Sequence, residues 1–99
     1  MADASSRGRN NRRRGQQGER EVCGLLADYL GITAKRNLGQ ERDSGTDVHA
    51  LGYTIECKRR AKVANLYDWM AQADIGTGTP AVAVRADGKE WLVTMRFDD

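Results

Sequence analysis

The sequence predicts an α/β domain: a mixed central sheet flanked by helices, in the order αβββαββ. Three observations carry this expectation. Residues 16–30 and 64–75 repeat their apolar side chains at helical spacing. Residues 47–50 and 53–58 alternate apolar and polar positions with a period of two, as strands do. Val82 and Val84 alternate up to Asp87-Gly88, a strong signal for a two-residue hairpin. A chain of 99 residues supports one small domain with a single core.

The charge is unevenly spread. Residues 1–15 hold five arginines and one acid, for +4, whereas residues 16–99 carry a net −2. The first fifteen residues are rich in Arg, Asn, Ser and Gly and lack periodic apolar positions, so they read as a disordered basic arm. Arg7, Arg9, Arg12, Arg13 and Arg14 are its candidate phosphate contacts, although a solubilising tail would have the same composition. The asymmetry points to a polyanionic partner. No run of 18 apolar residues exists to span a membrane, and the N-terminus lacks the apolar core of a signal peptide. Cys23 and Cys57 are far apart in the chain, and each falls at a packed position. Both are expected to be reduced thiols, which suits a cytoplasmic protein.

In residues 16–30, Val22, Leu25, Leu26, Tyr29 and Leu30 form the expected core stripe, and Gly31 supplies a stop. Glu19 lies on the flank of that stripe, where a carboxylate needs a partner or a metal. A first-turn glutamate favouring the helix dipole is the plainer reading. Glu21 and Asp28 are placed on the wet face. Residues 32–38 read as a strand, and residues 39–45 as a loop able to form the rim of a site.

The stretch 45–58 organises the rest. It reads as a hairpin joined at Leu51-Gly52. Ala50 then faces Tyr53, Val48 faces Ile55, and Asp47 faces Glu56. The last pair puts like charges roughly 5 Å apart, which destabilises a sheet. At an effective dielectric of about 20 the repulsion is ~3 kcal/mol. A divalent cation between the carboxylates reverses that sign. Lys58 projects two residues further along the same face and adds a positive charge beside the ion. His49 shares this face, and an exposed or hydrogen-bonded role suffices for it. Arg59, Arg60 and Lys62 follow at once and are candidate DNA phosphate contacts.

Asp47, eight residues, then Glu56-Cys57-Lys58 resembles the motif of the PD-(D/E)XK nuclease superfamily. The motif alone is also what surface acids and a lysine on a solvated strand would give. The αβββαββ order resembles that superfamily's restriction-endonuclease-like core with one extra terminal strand, over about residues 16–97. Within it, the wording from Ile55 to Arg59, the stretch from Trp69 to Ala73 and the Val-rich strand after it look most like small phage and archaeal Holliday-junction-resolvase-like proteins. Thr46 stands where the motif name has Pro.

The resemblance implies a Mg²⁺- or Mn²⁺-dependent endonuclease acting on duplex or branched DNA. It implies Asp47, Glu56 and the Cys57 carbonyl as metal ligands, with Glu19 as a further direct or water-mediated one. Lys58 would orient the attacking water or neutralise charge on the phosphate. Gln72 is a further candidate, because some resolvase-like nucleases carry a polar residue on this helix that reaches the site. A homodimer is expected, since cutting two strands needs two sites. The alternative is a non-catalytic nucleic-acid-binding protein that uses the arginine-rich arm.

In the last segment, Pro80 opens a strand and the Asp87-Gly88 turn pairs Arg85 with Glu90, Val84 with Trp91 and Val82 with Val93. Trp69 and Trp91 are read as core.

Overall fold

The computed structural model describes residues 4–36 and 47–99. The readings that fall on 39–45, on Leu38 and on Thr46 therefore lie outside the described residues. Among the described residues the chain is an α/β fold with a five-stranded mixed sheet and two helices. The elements are α1 (Ala4–Leu30), β1 (Lys35–Arg36), β2 (Val48–Ala50), β3 (Tyr53–Arg60), α2 (Leu66–Ala73), β4 (Thr79–Ala86) and β5 (Leu92–Met95). The strands lie in sequence order across the sheet. β3 and β4 are parallel, and the other neighbours are antiparallel. A parallel pair needs a crossover connection, and α2 supplies it.

Alternation along the strands divides the core in two. Val48, Ala50, Ile55, Cys57, Ala81 and Ala83 face α1 and pack with Val22. Val82 and Val84 face α2 and pack with Trp69, Met70 and Ala73. β4 is buried without interruption from Pro80 to Val84, as expected for an inner strand covered on both faces. The α2 face also holds Thr54, whose hydroxyl donates to the Ala73 carbonyl at 2.7 Å.

α1 departs from the sequence reading at both ends. It begins at Ala4, so residues 4–15 of the stretch read as a disordered arm belong to the helix. Five of the twelve residues from Ala4 to Gly15 are arginine, a strong helix former. Propagation from a turn already packed on the sheet avoids the cost of nucleation. At the other end Gly31, with φ +66°, turns the chain. The Gly31 and Ile32 amides return to the Ala27 and Leu26 carbonyls. Tyr29 and Leu30, expected in the core stripe, are 81% and 66% exposed, because the sheet offers the last turn nothing to pack against. Glu21, expected on the wet face, is instead the hub of a polar cluster. Its Oε2 accepts from Arg85 Nη1 at 3.1 Å and from Trp91 Nε1 at 2.7 Å.

The β2–β3 register is Val48 with Ile55, His49 with Thr54 and Ala50 with Tyr53. Leu51 and Gly52 both have positive φ, as a type I′ turn requires. The β4–β5 register differs from expectation by one residue: Val84 faces Leu92, and Ala83 faces Val93. The turn itself is as expected, with the Lys89 amide donating to the Ala86 carbonyl. One extra residue is then taken up before Leu92, as in a bulge, helped by Arg85 Nε donating to the Lys89 carbonyl at 2.7 Å. A one-residue slip exchanges the faces of a strand. Trp91 accordingly meets α1, and a Cβ on Gly18 would lie 3.3 Å from its ring. Arg85 pairs with Glu21 rather than Glu90.

Candidate active site

The site forms where the β2–β3 ladder ends. Its last described backbone pair is Val48 with Ile55. One step further on, the Cys57 N–H donates to Asp47 Oδ2 at 2.9 Å. A side chain thus takes the place of a strand carbonyl. The N–H and C=O of one strand residue point to the same side. The Cys57 carbonyl is therefore directed toward the same edge as the Asp47 carboxylate.

Glu56 and Lys58 follow on the α2 face of β3. Their side chains are only 14% and 12% exposed, and Lys58 Nζ lies 3.5 Å from Glu56 Oε1. Lys58 also stands over the Trp69 ring, 6.0 Å from its centroid, at the outer range of a cation–π contact. Burial pushes the Glu56 carboxyl up to about 7; the Asp47 charge and a hydrogen bond with Asp47 add to this, and Lys58 opposes it. The two carboxyl groups therefore sit within hydrogen-bonding reach of each other, in partly desolvated surroundings that disfavour two negative charges.

This donor set suits a hard divalent cation. Two adjacent carboxylates and a strand carbonyl are oxygen ligands of the kind Mg²⁺ and Mn²⁺ take, and a cation would relieve the strain that holds a proton on the pair. Among the described residues there is no group of three His, Cys, Asp or Glu side chains that could hold a metal ion. The fit thus rests on Asp47, Glu56 and the Cys57 carbonyl.

Glu19 does not join that group. It is 1% exposed and lies on α1, across the sheet from Glu56 and Lys58. Arg36 Nε and Nη2 donate to its Oε2 at 3.2 and 3.1 Å. The sequence showed that Glu19 needs a partner; the structure supplies an arginine. Beside it, burial raises the Cys57 thiol far above its ordinary range, and the Asp47 and Glu19 charges add to the effect. Burial also raises Cys23. Both cysteines are free and neither has the thiolate character of a nucleophile.

The basic residues divide. Arg59 is taken up against α1, donating to Gln17 Oε1 at 3.3 Å and lying 4.0 Å from Glu21 Oε1. Arg60 and Lys62 are exposed. Arg7, Arg9, Arg12, Arg13 and Arg14 all lie on the first half of α1, and Arg13 is exposed. Gln72 is exposed on α2, and Trp69 of that helix reaches the site beneath Lys58. The sequence reading treated Trp69 as core alone. Its place directly across the crossover from a lysine-bearing strand was the available signal. Arg36 was also missed, because its partner Glu19 lies 17 residues earlier in the chain and meets it only through folding.

No family model, curated protein or solved structure matches the chain.

Proposed function

We propose that the chain is a metal-dependent DNA endonuclease with a restriction-endonuclease-like core of the PD-(D/E)XK type. In this reading it is selective for branched DNA such as a Holliday junction, works as a homodimer and acts in the cytoplasm. The observation that carries the reading is the gathering of Asp47, Glu56 and Lys58 where β2 leaves β3, with Glu56 pushed up to about 7. Asp47, Glu56 and the Cys57 carbonyl would hold Mg²⁺ or Mn²⁺. When bound, the ion supplies Lewis-acid polarisation of a phosphoryl oxygen and a more acidic water.

The chain's own residues do the rest. The Cys57 amide fixes the Asp47 carboxylate by hydrogen bonding to one of its oxygens. Glu56 and the Trp69 ring hold the Lys58 ammonium in place. From there its charge stabilises negative charge gathering on the phosphate. The exposed Arg60, Lys62 and Arg13 supply sequence-independent attraction to the backbone.

Incubating the protein with branched, nicked and linear DNA in Mg²⁺, Mn²⁺ or EDTA tests the reading. Cleavage that requires the metal and favours the branched substrate is the expected result. Retardation of DNA with no cleavage in either metal would instead select a non-catalytic binding protein, the reading that the five arginines of α1 favour.

A further inference from the structure

A second cleft lies on the same sheet face as Asp47 and Glu56. Its volume is about 340 Å³, and its walls include Thr33, Lys35, His49, Tyr53, Thr54 and Thr77. Register fixes its relation to the candidate site. Lys35 pairs with His49, and His49 with Thr54, so the three form one row across β1, β2 and β3. Two residues along the strands, on the same face, stand Asp47 and Glu56. That spacing is about 6.6 Å, comparable to the step between successive phosphates along a nucleic-acid strand.

The two rows have opposite chemistry. No lining residue of the cleft is acidic; Lys35 is basic, and His49, Thr33, Thr77 and Tyr53 lie around it. The end wall is fixed. Gly78 has φ +74°, and a Cβ there would stand 2.8 Å from the Gly52 carbonyl oxygen, while the Thr79 amide donates to that same oxygen. The loop before β4 is thereby held against the β2–β3 turn.

We propose that this cleft is a subsite for a DNA backbone phosphate one nucleotide away from the phosphate at the Asp47–Glu56–Lys58 site, with Lys35 as its charged contact and the His49 imidazole beside it. This rests on the nuclease reading only for the presence of DNA on this face. Lys35 is exposed, so Lys35→Ala leaves the fold intact, and a melting curve verifies that.

The test measures binding of the full chain in EDTA, where no cutting occurs. The ligands are DNA duplexes and junctions carrying single uncharged methylphosphonate linkages at successive positions. One position should weaken the parent several-fold, and that position should lose its effect in Lys35→Ala. The same substitution should make the slope of log K against log salt shallower by about 1. His49→Gln should weaken binding at the same linkage. Equal sensitivity of parent and Lys35→Ala at every linkage, or no DNA binding by the parent, would overturn the subsite. Binding with this pattern but without metal-dependent cleavage would overturn the nuclease and leave the subsite standing.

Discussion

The Cys57 amide and the Asp47 carboxylate are joined by a 2.9 Å hydrogen bond at the point where the β2–β3 ladder ends. The carboxylate is thus held at a strand edge, close to Glu56 and on the side to which the Cys57 carbonyl points. The bond caps the end of the ladder and orients a ligand oxygen at the same time.

Metal should stabilise the fold through this arrangement. An ion held by Asp47 and Glu56 adds ~2.7 kcal/mol at a hundredfold excess over its dissociation constant. Thermal melting with millimolar Mg²⁺ or Mn²⁺ against EDTA measures it. The parent should melt higher with metal, and Asp47→Ala should show no shift. A parent that melts identically in all three conditions contradicts the metal assignment.

Glu56 gives the metal-free protein a pH signature. Its folded carboxyl titrates near 7 against an ordinary value of 4.5. The folded state therefore holds more protons than the unfolded state across that window. The stabilisation is full below pH 4.5 and is lost as pH rises through about 7. Discounted for solvent access and for its neighbours' charges, the loss is on the order of 1–2 kcal/mol. Denaturant midpoints in EDTA should fall between those limits in the parent and much less in Glu56→Gln. Parallel profiles for the two proteins would show that Glu56 is not the group responsible.

The Glu19–Arg36 pair should matter to stability. Removing Arg36 leaves a carboxylate that is 1% exposed without its arginine, a loss of about 3–5 kcal/mol when a pair is well buried. Arg36 keeps partial solvent contact, which places Arg36→Ala nearer ~3 kcal/mol. The double substitution Glu19→Gln with Arg36→Met should recover part of that. Chemical denaturation measures both. A cost for Arg36→Ala below that of an exposed-residue substitution would contradict a structural role for the pair.

How much of this was legible in the sequence follows from what each signal depends on. The β2–β3 register could be read because alternation and a two-residue connection fix it together. The same logic failed for β4–β5. Glycine and aspartate announced the turn, but nothing local announces a residue taken up between Lys89 and Leu92. That residue depends on Arg85 reaching the Lys89 carbonyl and on Trp91 finding Glu21. The helical state of residues 4–15 was hidden because composition without apolar periodicity resembles disorder, whereas a helix extended from a packed segment needs no apolar face of its own. Burial of Glu19 was foreshadowed by its place on the helix. Its partner was not, since pairing across 17 residues depends on where the sheet edge lies.

The arginines of α1 should dominate the salt dependence of DNA binding. Deleting residues 1–15 removes all five, and full contact with duplex phosphates would make the slope of log K against log salt shallower by about 4 to 5, partial contact by about 2 to 3. A salt series on the parent and the truncated protein, both carrying Lys58→Ala, supplies the comparison. An unchanged slope would assign DNA attraction to Lys35, Arg60 and Lys62.

The single-turnover cleavage rate of Lys58→Ala at saturating branched DNA and millimolar Mg²⁺ bears most directly on the central claim. The account predicts that this variant binds the DNA as tightly as the parent and cuts it about 100-fold or more slowly, the loss expected when a group stabilising transition-state charge is removed. Cleavage at the parental rate would contradict the assignment of Asp47, Glu56 and Lys58 as a catalytic centre.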